Sequence, residues 1–220
     1  MFGGSSVLKG QPGLCFRENI HAVRAPVVTA IGMRAIHADL FDTVPFTLEI
    51  MGAIDRLPSL IAQTGILMIK RTNGDTETSY SFGIGASNPA DTPYWTVFDT
   101  AANKTSITGN RAVGIGQPFH LAATISAGLV MQLFVDGVKM ASTPTAPALY
   151  TAGTDSFLYL MSGVGSERFV GRALPGAVYN KVLSDARILA HANAALSDPT
   201  TIIPFGSPYK DLSIVRRPPN

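Results

Sequence analysis

The chain has little charge, a single cysteine and no long apolar run, and each scarcity excludes a class of protein. Charged residues make up 15% of its 220 residues, and the formal net charge is +2. Basic residues are scattered, so the chain lacks the basic patch that nucleic-acid binding requires. Cys15 stands alone, which excludes an internal disulfide and any zinc site built from several cysteines. No apolar run reaches the roughly 18 residues of a transmembrane helix, so no membrane span is predicted.

The residues that are present indicate a folded protein with an unusually apolar surface. Hydrophobic residues make up 46% of the chain and the mean hydropathy is +0.22. Such a composition can bury a sizeable core, which excludes disorder of the whole chain. Because few charges remain to cover the surface, we expect other protein to cover part of it.

Short segments with period-two alternation, separated by glycine and proline, predict an all-β protein. In residues 46–50 the alternation places Glu49 on the outward face of its strand, and three dipeptides, Asn73-Gly74, Ala127-Gly128 and Asp136-Gly137, mark turns between strands. The fold class predicted is an antiparallel β-sandwich of the jelly-roll type. The predicted strands cover residues 46–50, 65–71, 79–84, 94–98, 119–126, 129–135, 138–140, 157–161 and 176–180.

The C-terminal part adds one short helix and a proline-rich segment. Ser184 is positioned to cap a helix that carries apolar residues at helical spacing and ends before Pro199. The predicted organisation is an N-terminal arm with the first strands over residues 1–39, a sandwich over 40–197, and an extended arm over 198–220. Proline cannot donate a backbone hydrogen bond, so the last segment is a poor helix or central strand.

Two motifs carry a family resemblance. The run Gln117-Pro-Phe-His-Leu-Ala-Ala-Thr-Ile125, followed by Leu133-Phe-Val-Asp-Gly-Val-Lys139, resembles the "W-H-H-V-A-x-T" and "Y-V-D-G" strands of LamG-type concanavalin A-like lectin/glucanase domains. Residues 169–188, with Val178-Tyr-Asn-Lys-Val-Leu-Ser184, are similar to the closing strand and helix of that family. The resemblance covers roughly residues 40–197 and implies a concanavalin A-like fold.

The segment after the last helix resembles the tails of LamG-like proteins of tailed bacteriophages. This resemblance implies a virion structural protein, such as a capsid decoration or tail accessory protein, that binds neighbouring virion proteins and forms a homo-oligomer. No secretory signal is visible in residues 1–6, so we expect synthesis in the host cytoplasm and incorporation into the virion. The residues expected to dock the C-terminal arm are Pro208, Tyr209, Arg216 and Arg217.

The acidic residues are too dispersed to indicate an enzyme. Glycoside hydrolysis needs two carboxylates across a groove, and the chain lacks the E-x-D-x-x-E pattern of sandwich-fold glucanases. Its histidines show no metal-ligand spacing, and His120 is predicted to be a packed histidine. Asp136-Gly137 could supply a calcium ligand, although a turn explains the same residues. The sequence therefore predicts no catalytic residue, cofactor or metal.

The alternative function is a carbohydrate-binding module that attaches to host surface glycans. Tyr94 and Trp95 form an adjacent aromatic pair that could stack on a sugar ring, and Asn88 and Asp91 lie just before them with side chains suited to sugar hydroxyls. A competing interpretation places Trp95 in the core, because it alternates with Val97 along a strand-like run. The sequence leaves these two interpretations open.

Overall fold

Two antiparallel sheets stack into a sandwich, which confirms the predicted fold class. The computed structural model describes residues 23–24, 33–36, 43–72, 78–87, 89–99, 103–143, 146, 148–149, 156–161, 169–173 and 176–197, and of these it describes 23–24, 33–36, 72 and 157 by backbone alone. The predicted arm residues Pro208, Tyr209, Arg216 and Arg217 lie outside this part of the chain. No helix within it is long and apolar enough to cross a bilayer.

The seven-stranded sheet contains the longest strand of the structure. Its path, in spatial order, is β1 (Val23–Arg24), β12 (Gly171–Ala173), β3 (Phe46–Ile54), β8 (Pro118–Ile125), β9 (Met131–Val135) and β10 (Val138–Thr143), and β13 (Ala177–Tyr179) also pairs with β3. Asp136 and Gly137 both have positive φ between β9 and β10, as a tight hairpin requires. The predicted Asp-Gly turn is therefore confirmed.

The six-stranded sheet forms the other layer. Its order is β2 (Met33–Ile36), β11 (Ser156–Leu160), β4 (Gly65–Thr72), β5 (Thr78–Ile84), β6 (Pro93–Phe98) and β7 (Lys104–Thr108). The Asn73-Gly74 turn lies outside the described residues, but β4 and β5 pair antiparallel on either side of it. The strand β7 was not predicted, and it forms one end of this sheet.

The core fills the space between the two sheets with large side chains from both inner faces. Its aromatic centre joins Phe46 of the seven-stranded sheet to Tyr80 and Trp95 of the six-stranded sheet, with ring centroids 5.3 to 6.0 Å apart. Burial raises the pKa of the Tyr80 hydroxyl far above its usual value, so this group stays neutral in the core. Tilted and edge-to-face rings of this kind pack favourably and fix the distance between the layers.

The two helices are short and lie at the margins of the sandwich. Helix α1 (Pro58–Ile61) follows β3, and helix α2 (Asp185–Leu196) follows β13. The Ser184 side chain accepts a hydrogen bond from the Arg187 backbone N–H, so the predicted cap and helix are confirmed. Helix α2 packs Ile188 and Ala192 inward and covers the outer face of the seven-stranded sheet.

Candidate functional site

Strand β6 points its two adjacent aromatic residues to opposite sides of the sheet. Trp95 pairs with Phe82 and is 0% exposed in the core, whereas Tyr94 lies on the outer face and is partly exposed. Since a sugar cannot reach a ring enclosed on all sides, the burial of Trp95 favours the core interpretation over the glycan platform. The alternation of Trp95 with Val97, which favoured the core interpretation, gives the correct orientation.

Asp91 is buried, and each of its carboxylate oxygens has a partner within the chain. One oxygen accepts the Ser59 backbone N–H at 2.9 Å and the other accepts the Ser59 hydroxyl at 2.6 Å. The carboxylate thus satisfies a free donor in the first turn of α1. Its burial and its bonds to Ser59 favour a structural role for Asp91 over a role in binding sugar hydroxyls, and Asn88, its predicted companion, lies outside the described residues.

The outer face of β5, β6 and β7 forms a shallow groove around Tyr94. The Tyr94 and Ser81 hydroxyls are 2.8 Å apart, and the Thr96 and Ser106 hydroxyls are 2.7 Å apart. The groove has a volume of about 290 Å³, close to the lower limit of roughly 300 Å³ for ligand pockets. Its walls and floor are formed by Thr64, Ser81, Gly85, Ala86, Ser87, Thr92, Tyr94, Thr96, Phe98, Lys104, Ser106 and Thr108.

The chemistry of this groove is hydroxyl-rich, with one aromatic residue at each end of β6. Each hydroxyl that already bonds a neighbour keeps a further donor or acceptor for a ligand. Tyr94 and Phe98 supply apolar surface beside these hydroxyls, and Lys104 supplies one positive charge. Such a surface suits a ligand that combines apolar faces with many hydroxyl groups. We call the surface formed by Ser81, Tyr94, Thr96, Phe98, Lys104, Ser106 and Thr108 the β5–β7 groove.

The outer face of the other sheet holds a buried cluster of titratable groups beneath helix α2. Glu49 is 5% exposed, and its carboxylate lies 2.8 Å from Nδ1 of His191 and 3.7 Å from Nε2 of His120. Alternation places Glu49 on the outward face correctly, but the helix then covers it. Burial is the main cause that lowers the pKa of His120, and His191 adds to this effect, while Glu49 and Asp136 oppose it.

The lowered pKa of His120 predicts a loss of stability as the pH falls. In the unfolded chain the pKa of His120 returns to about 6.5. Below this pH the imidazole is therefore protonated in the unfolded state while it stays neutral in the folded state. Stability therefore declines from about pH 6.5 down to the lowered folded pKa, by at most about 1.4 kcal/mol per pH unit. We expect urea unfolding at pH 7.5 and 5.0 to show a smaller loss for His120→Gln than for the natural chain, whereas equal losses would contradict this assignment.

Asp136, in the turn between β9 and β10, bonds neighbouring residues of the chain. Its carboxylate accepts the His120 backbone N–H at 2.9 Å and forms an ion pair with Arg111. Both carboxylate oxygens therefore have partners within the chain, which favours the turn over the calcium interpretation. Within the described ranges, no group of three or more histidine, cysteine or acidic residues is arranged to hold a metal ion.

A comparison with models of protein families shows which superfamily this chain belongs to. The model described as the concanavalin A-like lectin/glucanases superfamily, of the laminin G type, matches residues 33–189. The chain belongs to this superfamily. The match includes every strand from β2 onward and the first part of α2, so the resemblance seen in the two sequence motifs extends over all of the sandwich except β1. No curated protein matches the chain at the sequence level.

Several solved structures share the fold of this chain at low sequence identity. Domain 4 of the arabinanase AbnA from Geobacillus stearothermophilus, solved with arabinotriose, has a TM-score of 0.56 at 13% identity over 80% of this chain and 82% of that one. The CBM40 domain of a Ruminococcus gnavus sialidase, bound to α2,3 sialyllactose, has a TM-score of 0.52 at 16% identity over 67% and 82%. Botulinum neurotoxin type C has a TM-score of 0.54 at 11% identity over 74% and 39%. At these identities the likeness shows the fold alone.

Proposed function

We propose that this protein is a non-catalytic carbohydrate-binding module that holds a saccharide in the β5–β7 groove. The observation that carries the proposal is the position of Tyr94, an accessible aromatic ring on the outer face of the sheet, surrounded by hydroxyl side chains. An aromatic face packs against the apolar face of a sugar ring, and the neighbouring hydroxyls bond its polar edge. Helix α2 packs over the outer face of the opposite sheet, which is therefore less open to a ligand than the β5–β7 groove.

Two of the similar structures support the class of ligand. The printed descriptions of the arabinanase domain and the CBM40 domain name a bound saccharide in each case. The neurotoxin description names an interaction with two ganglioside molecules, which are also glycan-bearing. These proteins share the sandwich architecture with this chain, so its fold is one that supports saccharide binding.

The side chains of the groove support a binding role without catalysis. Glycoside hydrolysis requires an acid and a second carboxylate about 5–10 Å apart across the bound sugar. In the part of the chain that the structure describes, no aspartate or glutamate lines the β5–β7 groove. A saccharide held there would meet hydroxyls, aromatic rings and one lysine, none of which forms the pair of carboxylates that the reaction needs.

A glycan array with Tyr94→Ala tests this proposal. We expect the natural chain to bind a subset of oligosaccharides and the variant to bind them at least about ten-fold more weakly, because central aromatic contacts dominate such interfaces. Tyr94→Phe keeps the ring and loses only the hydroxyl that faces Ser81, so it should retain most of the binding.

Tyr179→Ala is the matched control for this experiment. Tyr179 is a partly exposed tyrosine on the seven-stranded sheet, where it stacks on His191 with ring centroids 6.1 Å apart. We expect its removal to leave glycan binding unchanged. Equal binding by the natural chain and Tyr94→Ala, or loss of binding in Tyr179→Ala alone, would exclude the β5–β7 groove as the site.

The virion role remains a separate prediction. It depends on the terminal segments, including Arg216 and Arg217, which lie outside the described residues. A glycan-binding sandwich and a virion component are compatible, since a module on a particle surface can attach the particle to host glycans. Recovery of the protein from purified particles, and loss of incorporation when residues 200–220 are removed, would support this role, whereas its absence from particles would exclude it.

A further inference from the structure

Lys104 gives the β5–β7 groove a positive charge. It lies at the start of β7, and its side chain is exposed on the same face as Ser106 and Thr108. Among the described residues no carboxylate lines the groove and none forms an ion pair with Lys104. Asp99, which follows Phe98, keeps its Oδ1 atom buried. The part of the groove that the structure describes therefore carries one positive charge and no negative one.

The register between β6 and β7 determines how far the Lys104 charge lies from the Tyr94 ring. Tyr94 pairs with Thr108, whereas Lys104 pairs with Phe98 at the other end of the groove. Lys104 and Thr108 are four residue steps apart along β7, which corresponds to about 14 Å of backbone at 3.4 Å per residue. A ligand that touches both Tyr94 and Lys104 must therefore be longer than one sugar ring.

From this arrangement we propose that the groove selects an acidic oligosaccharide, with one sugar ring stacked on Tyr94 and a carboxylate on another sugar paired with Lys104. This inference rests on the proposed function and specifies its ligand class. A single lysine matches a single carboxylate, as in a uronic or sialic acid, whereas a densely sulfated chain calls for a cluster of basic residues. The hydroxyls of Thr96 and Ser106, which lie between the two ends, face the middle of such a ligand.

The test compares each acidic oligosaccharide with its own neutral counterpart. Sialylated and uronic-acid oligosaccharides are titrated beside the same molecules after carboxyl reduction, and a sulfated glycosaminoglycan is included as a third arm. We expect the natural chain to prefer the carboxylated member by about five-fold, the upper range for one exposed ion pair, and the preference to shrink as salt is added. Tighter binding of the sulfated chain than of every carboxylated probe would overturn the assignment.

Three variants separate the charge from the fold. Lys104→Gln should remove the preference for the acidic member and leave binding of the neutral member unchanged, while Lys104→Arg should keep the preference. Lys181→Gln is the matched control, because Lys181 is exposed in the turn after β13, on the opposite side of the sandwich. Thermal melting of all three variants should match that of the natural chain.

The outcomes distinguish this inference from the proposed function. Equal binding of acidic and neutral members through Tyr94 would overturn the charge preference and leave the carbohydrate-binding proposal intact. An unchanged preference in Lys104→Gln would likewise overturn the role of Lys104. If no oligosaccharide of either kind binds the natural chain, both the proposed function and this inference fail together.

Discussion

Trp95→Ala should unfold or severely destabilise this protein, by about 3–5 kcal/mol. The side chain is fully buried at the centre of the core, where its ring meets Tyr80 at 5.6 Å and Phe46 at 6.0 Å. Its removal loses both the buried apolar area and the aromatic contacts between the two sheets. Because domains of this kind are stable by only about 5–15 kcal/mol, a loss of that size lowers the melting temperature by about 10 °C or more.

The neighbouring residue supplies the control for this prediction. Tyr94→Ala removes an aromatic side chain of similar size from the outer face, so it should cost less than half as much stability while it weakens saccharide binding. Trp95→Phe should recover much of the stability lost in Trp95→Ala. Urea unfolding followed by circular dichroism measures all three variants, and an equal loss in Tyr94→Ala and Trp95→Ala would contradict the orientation of β6.

Gly83→Ala should destabilise the six-stranded sheet by roughly 1–3 kcal/mol, although it adds only one methyl group. Gly83 lies in β5 opposite Ile66, where the register between β4 and β5 shifts. A β-carbon at this position would overlap the backbone carbonyl oxygen of Gly65. Since this neighbour is main chain, it cannot rotate away as a flexible side chain could, and the two strands must move apart.

Gly85→Ala is the matched control, two residues further along the chain. A β-carbon there would meet its nearest atom, the Ser87 carbonyl oxygen, at 3.6 Å, which is ordinary contact. We therefore expect Gly85→Ala to be neutral or slightly stabilising, because alanine loses less backbone entropy on folding than glycine. If the two substitutions shift the unfolding midpoint equally, then the close approach of β4 and β5 at Gly83 is not a constraint on the fold.

Much of the fold was predictable because its signals are local. Alternation in β3, β5, β8 and β9 identifies strands with one face in the core, and the positive φ of Asp136 and Gly137 follows from residues suited to that turn. Helix α2 was equally clear from its cap and spacing. Strand β7 was missed because Ile107 is its one buried apolar residue, and an edge strand with polar outward residues shows only weak alternation.

The site was less predictable because its residues are brought together by long-range contacts. Alternation shows that Tyr94 and Trp95 point to opposite faces and favours Trp95 as the inner one, but the packing of the two sheets is needed to decide between the two interpretations. The role of Asp91 depends on Ser59, 32 residues away, and no local pattern indicates that contact. The groove itself needs β7 beside β6, so its Lys104 and Ser106 could not be assigned to it before the strand order was known.

The most direct test of the account is to locate a bound saccharide on the protein by NMR. The backbone amides of the 15N-labelled natural chain are followed while the oligosaccharide that binds most tightly on the array is added. We expect the shifts to concentrate on β6 and β7, around Tyr94, Thr96 and Ser106, with little change along α2. Shifts centred on helix α2 or on the Asp136 hairpin, with the amides of β6 and β7 unmoved, would contradict it.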